Sequence, residues 1–159
     1  MDKKIFYLRR CRAAAEEAGR AFDMNPRVIL AQGALESGWG TSCLATEHNS
    51  YFGIMGYGAS NAWWHGERVE LETAGGMVHY FRHYTSPRMS FFDFARLIHT
   101  GYHRAWSFSR IPEAYAKEIA YSPYISELNG DNRERYRHSI IALEEEIGRM
   151  MDWDEGMVA

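Results

Sequence analysis

The sequence predicts an α+β domain, mainly helical, with one small β-hairpin lobe following the second helix. Three observations predict it. Segments with apolar residues at helical spacing recur along the chain, several of them opened by a capping residue or a proline. One stretch, "WWHGERVELETAGGMVHYFRHY" (63–84), breaks that rhythm with period-two alternation around a glycine turn. The 159 residues are 46% hydrophobic and contain no repeat or low-complexity linker, which suits a single domain over residues 1–159.

The elements follow in order. Residues 3–22, rich in Ala, Arg and Glu, read as a first helix. In "DMNPRVILAQGALE" Asn25 can cap a second helix and Pro26 suits its first position. Val28, Ala31, Gln32 and Leu35 form one face of it, and "SGWG" ends it, because glycine reaches turn conformations other residues avoid. Residues 41–62 read as mostly loop, punctuated by Gly53, Gly56 and Gly58. Val69 and Leu71 then alternate with Glu70 and Glu72 before Ala74-Gly75-Gly76, which is a hairpin with one polar face. In "SPRMSFFDFARLIHTGY" Phe91, Phe94, Ala95 and Ile98 mark a helix face that Ser90 and Asp93 are expected to cap. A helix from about Pro112 carries Tyr115, Ala116 and Ile119, and a last one, about 133–151, presents Tyr136, Ile140, Leu143 and Ile147.

Composition excludes several classes. A formal net charge of -3 gives no nucleic-acid footprint. No apolar run approaches the roughly 18 residues of a membrane span. The start, "MDKKIFYLRRCRAAAEEAG", lacks the continuous apolar core of a signal peptide, so the route of any export is left open. Two cysteines, Cys11 and Cys43, make at most one bridge, and free, buried thiols are expected. Aromatic residues reach 14%, which suggests a cleft with stacking surfaces in addition to core.

The chemistry concentrates in "AQGALESGWG" (31–40), which sets Glu36 at the end of an apolar helix, three residues before Trp39. A carboxyl held against an indole loses solvation, which favours its protonated form, and the negative end of a helix acts in the same direction. A carboxylic acid that keeps its proton near neutral pH can serve as the general acid of glycoside hydrolysis. The alternative is a surface glutamate near a helix end, with Trp39 packed in the core.

"HNSYFGIMG" (48–56) follows at loop distance. Together the two segments resemble glycoside hydrolase family 73, bacterial peptidoglycan N-acetylglucosaminidases that include autolysins. Further similar segments are "WHG" (64–66), "YFRHYTSPRMSFFDFARLI" (80–98) and "AYAKEIAYSP" (114–123), so the likeness runs in order over about residues 20–147. The resemblance implies a lysozyme-like fold, a helical lobe and a small β-lobe flanking a groove. It implies Glu36 as the acid that protonates the glycosidic oxygen, with Asn49, Phe52 and Gly53 shaping the groove beside Trp39, Trp64, Tyr121 and Tyr124. It implies peptidoglycan glycan strands as the partner, no cofactor, and a place of action in the cell wall, the periplasm or outside the cell.

The hairpin departs from the family pattern. A second glutamate is expected in a "T-x-E" stretch, but Thr73 is followed at that distance by Gly75. Glu70 and Glu72 share one strand face and are the candidates for a base or nucleophile, or else are solvated charges. Tyr136 either matches a later family tyrosine or packs in the core with Ile140. His79/His83 and His99/His103 have chelating spacing, but "HExxH" is absent and Cys43 stands apart from both pairs in sequence, so no metal is expected. Arg9, Arg10 and Arg12 read as a solvated helix face. Two rival functions remain open: a muramidase or lytic transglycosylase of the same superfamily, and a non-catalytic glycan-binding or assembly protein.

Overall fold

The structure, a computed structural model, describes residues 2–126 and 132–158. Its elements are α1 (Lys3–Phe22), α2 (Pro26–Ser37), α3 (Cys43–His48), β1 (Arg68–Glu72), β2 (Val78–Arg82), α4 (Pro87–Gly101), α5 (His103–Ser107), α6 (Pro112–Ala120) and α7 (Arg133–Val158).

α2 is the centre of the helical lobe. Asn25 caps it by accepting from the Arg27 N–H, and Pro26 occupies its first turn. Val28, Ile29, Leu30, Ala31 and Gln32 are all fully buried, so this helix has no wet face over those positions. α1 and α7 pack against it, α4 packs on α1, and α6 on α7. α1 buries Tyr7, Leu8, Cys11, Ala15 and Ala18, a stripe at helical spacing. The Tyr7 hydroxyl donates to the Leu30 carbonyl at 2.7 Å, and a Cβ at Gly33 would meet that hydroxyl at 2.5 Å. The glycine therefore lets a tyrosine lie directly on the α2 backbone.

The hairpin forms as the alternation predicts. β1 and β2 pair antiparallel with Glu70 opposite Tyr80 and Glu72 opposite Val78. Arg68, Glu70 and Glu72 are exposed, while Val69 and Leu71 are half-buried. Residues 54–56 lie along β2: Met55 bridges Phe81, the Gly56 N–H donates to the Tyr80 carbonyl, and the Arg82 N–H to that of Ile54. Only a residue without a side chain fits at 56, where a Cβ would come within 2.9 Å of Arg68 Cβ.

The lobe is held to α4 by a buried ionic network. Arg82 donates to Asp93 at 2.9 Å, to the Met55 carbonyl at 3.0 Å and to the Tyr57 carbonyl at 2.6 Å. Its guanidinium also stacks on Trp64, 3.9 Å from the ring centre. Asp93, with no exposed surface, accepts further bonds from Asn61, Arg96 and the Tyr84 hydroxyl. Burial pushes its carboxyl up, but the bonds from Tyr84, Asn61 and Arg96 and the charge of Arg82 outweigh it, so the carboxyl ends below its ordinary value.

Several boundary expectations are corrected. The 41–62 segment contains α3, a helical turn that Ser42 caps through Ala45. α4 starts at Pro87 and is capped by Ser86, not by Ser90 and Asp93. Those two are buried inside the helix, where Ser90 accepts from the Tyr51 N–H and Asp93 anchors the ionic network. α5 adds a turn that the sequence reading passed over, and α7 runs past residue 151. The cysteines are free as expected, but only Cys11 is buried, its thiol pushed up to about 12 by that burial; Cys43 is exposed.

Candidate active site

Glu36 lies one residue from the end of α2. The turn that follows is unusual: Gly38, Trp39 and Gly40 all have positive φ (57°, 57° and 76°). Ser37 ties it together, donating to the Gly33 carbonyl and accepting from the Gly40 N–H. A left-handed tryptophan costs about 1–2 kcal/mol. It is held by packing, since the indole is only 9% exposed, sits edge-on to Tyr7 at 5.7 Å and lies under the Lys4 ammonium. The Trp39 side chain packs onto α1 and is not among the residues that line the pocket at Glu36, which makes it a core residue in place of the expected shield.

Glu36 instead opens onto a pocket of about 410 Å³. α2 supplies Leu35 and Glu36 to one side, and residues 52–55 supply Phe52, Gly53 and Met55. Tyr102, Tyr124 and Tyr136 form the remaining aromatic wall. The Tyr136 hydroxyl donates to Glu36 Oε1 at 2.8 Å, which holds one carboxyl oxygen in place. Tyr124 lies between Tyr102 and Tyr136, with ring centres 5.4 and 6.5 Å away. Burial, and then the charge of Glu36, push the phenols of Tyr124 and Tyr136 well above their usual range, so both remain neutral. Beneath them the Tyr115 hydroxyl donates to Gln32, a buried amide one turn before Glu36.

The other singled-out residues divide clearly. Phe52 lines the pocket while stacking on Phe94, with ring centres 3.9 Å apart. Gly53 has φ 63°, and a Cβ there would meet nothing within 4 Å, so its backbone is open to an occupant. Tyr124 is in the wall. Asn49 is not in the pocket: it ends α3 in the left-handed region and donates to the Tyr84 carbonyl. Trp64 is 3% exposed beneath Arg82, with its indole N–H on the Glu67 carbonyl, and is a support of the hairpin base. Tyr121 is exposed and bonded to Glu134, outside the pocket. Glu70 and Glu72 stand on the exposed face of β1 and contribute nothing to the pocket lining. Among the described residues that line it, Glu36 is the one acid. Residues 127–131 of the long segment after Tyr124 lie outside the described residues.

Tyr102 and Met55 were not foreseen. Tyr102 ends α4 in a non-helical conformation, and only the packing of α6 and α7 shows that it faces Tyr124. Among the described residues no third metal-ligating group joins His99 and His103; His103 pairs its ring nitrogen with the His99 carbonyl and stacks on Trp106. A larger apolar groove, about 670 Å³, runs between α1 and the end of α7. Among its described lining residues the one acid, Glu16, is paired with Arg12.

The comparisons agree with this geometry. The glucosaminidase family, described as mannosyl-glycoprotein endo-beta-N-acetylglucosaminidase, matches residues 12–149. A peptidoglycan hydrolase, FlgJ of Vibrio parahaemolyticus, is 30% identical over 91 residues, which are 53% of this chain and 29% of that protein. The match thus spans less than a third of the relative's length. The glycoside hydrolase domain of Salmonella typhimurium FlgJ superposes with a TM-score of 0.72 at 23% identity, covering 99% of this chain and 96% of that one. The catalytic domain of the autolysin Auto from Listeria monocytogenes gives 0.72 at 20% identity, covering 92% and 85%. The lysozyme-like architecture implied by the motifs is therefore the observed one, and the chain belongs to the glucosaminidase family of glycoside hydrolases.

Proposed function

We propose that this domain hydrolyses peptidoglycan, cleaving the β-1,4 bond between N-acetylglucosamine and N-acetylmuramic acid, with Glu36 as general acid. The observation that carries the reading is the position of Glu36: the one acid among the described residues of the pocket lining, with one oxygen fixed by the Tyr136 hydroxyl. Substrate and place of action, the bacterial wall, come from the relatives named above. The aromatic wall and the open backbone at Gly53 suit the apolar faces and close approach of a glycan strand.

The proposed chemistry starts from that acid. Glu36 gives its proton to the glycosidic oxygen as the bond to C1 breaks. Where no second carboxylate takes part, the carbonyl oxygen of the sugar's own 2-acetamido group attacks C1 and forms an oxazolinium. Water then opens that ring and returns a proton to the Glu36 carboxylate, so configuration at C1 is retained. Tyr136 holds the carboxyl through both steps.

Glu36→Gln tests the reading. The amide keeps the size of the side chain but has no acidic proton, and general acid catalysis contributes about 10²–10⁴-fold. Turnover of purified peptidoglycan is expected to fall by that amount with the circular dichroism spectrum unchanged. Mass spectrometry of the wild-type products is expected to show reducing N-acetylglucosamine ends. A 1,6-anhydro-muramyl end would establish the lytic transglycosylase instead, and binding without turnover would establish a non-catalytic module.

A further inference from the structure

Away from the pocket, α3 gathers three metal-ligating side chains of different chemistry. Cys43 and Glu47 stand four residues apart on one helix face, and Cys43 Sγ lies 3.2 Å from Glu47 Oε2. His48 Nε2 is 4.0 Å from the same carboxylate oxygen. The ligand atoms of all three lie within 4.8 Å of one another. Four-coordinate zinc, with bonds of about 2.0–2.3 Å, sets its ligands about 3.3–3.8 Å apart, and the Sγ–Oε2 and Nε2–Oε2 spacings lie close to that range.

A second observation concerns the other ring nitrogen of His48. His48 Nδ1 lies 3.1 Å from His83 Nδ1, with the two rings edge to face. One Nδ1 must carry a proton and the other a lone pair. His83 Nε2 stands 3.9 Å from the Glu67 carboxylate and His48 Nε2 4.0 Å from that of Glu47, so the carboxylates alone do not distinguish the two rings. A cation bound at His48 Nε2 takes the lone pair of that nitrogen and leaves the proton on Nδ1, which then donates to His83 Nδ1. This is the arrangement by which an outer partner sets the tautomer of a metal-binding histidine. The backbone holds it rigid: the Tyr84 N–H donates to the His48 carbonyl, and the Asn49 amide donates to that of Tyr84.

We propose that Cys43, Glu47 and His48 bind one divalent cation of the zinc class, with His83 as a positioning residue that orients His48. Sulfur, nitrogen and carboxylate donors together select a borderline-soft cation over magnesium or calcium. Three protein ligands leave the fourth position to water, and binding releases the Cys43 thiol proton to solvent. All three ligands lie in α3, and His83, which directly follows β2, links the site to the base of the hairpin lobe through its contact with His48.

The full chain, stripped with chelator and dialysed, is titrated with zinc chloride by calorimetry. One cation per chain is expected, with proton release and a rise in Tm. The double variant Cys43→Ser/Glu47→Gln alters only exposed side chains, so a native circular dichroism spectrum with affinity at least 100-fold weaker is expected. His83→Gln is expected to weaken binding by about 10–100-fold. Cobalt chloride is expected to give a thiolate charge-transfer band in the wild type that Cys43→Ser lacks. Wild-type binding no tighter than millimolar, or full affinity in the double variant, overturns the site. Equal competition by magnesium chloride overturns the cation class, and unchanged affinity in His83→Gln overturns the role of His83.

Discussion

Arg82→Met replaces the cation at the junction of the two lobes with an apolar side chain of similar length. Arg82 is 6% exposed, and its partner Asp93 has no exposed surface. The substitution removes three hydrogen bonds, to Asp93 and to the carbonyls of Met55 and Tyr57, and the stacking on Trp64. Asp93 retains Arg96, Asn61 and Tyr84, so its charge is not abandoned, but it loses its most buried counter-ion. Breaking one side of a buried ion pair costs about 3–5 kcal/mol, a large part of the roughly 5–15 kcal/mol that holds a domain folded. The pH dependence has a definite sign. The Asp93 carboxyl lies below its ordinary 3.8 when folded, so it contributes stability that is present above that value and is lost as pH falls through the folded value. Without Arg82 the folded value rises, and acid unfolding begins at higher pH. Urea unfolding followed by tryptophan fluorescence at pH 7, and an acid titration of both proteins, measure the two effects. Because Met55 lines the pocket, turnover is expected to fall as well. A loss below about 1 kcal/mol with an unchanged acid midpoint would refute the assignment of this network as the tie between lobes.

Tyr136→Phe deletes the hydroxyl on Glu36 and keeps the ring; kcat is expected to drop about tenfold, the scale of a hydrogen bond to a charged group, with Tm nearly unchanged. A wild-type kcat would show that Glu36 is positioned without it. Trp39→Ala empties a core site and is expected to cost about 3–5 kcal/mol in chemical denaturation, while the pH–rate profile per folded molecule stays in place. A shifted profile would return the indole to the role of tuning Glu36. Glu70→Gln and Glu72→Gln are each expected to keep turnover on peptidoglycan within about twofold, because both side chains lie outside the pocket lining. A heavy loss in either would place the hairpin in the chemistry and remove the acetamide-assisted route.

Local signals determined most of the elements. Asn25-Pro26, the Gly38 stop, the Val69–Glu72 alternation and the Gly75-Gly76 turn are each written within a few residues, and each appears where the sequence puts it. The place of Glu36 near the end of α2 was legible for the same reason, since a motif of ten residues carries it there. What lies around Glu36 was decided by tertiary structure. Trp39 is three residues away in sequence, yet a run of positive φ values turns it into the core. Tyr136 is 100 residues away, yet the packing of α7 on α2 places its hydroxyl on the carboxyl. Asp93 looked like a cap from its place near a helix start, and became a buried anchor because β2 carries Arg82 to it. Cys43 and His48 are within one short helix, but the ring of His48 meets that of His83, 35 residues later. Sequence periodicity reports which face of an element is apolar. Which partner meets that face, and which atom then holds the proton, depends on distances that only the packed chain defines.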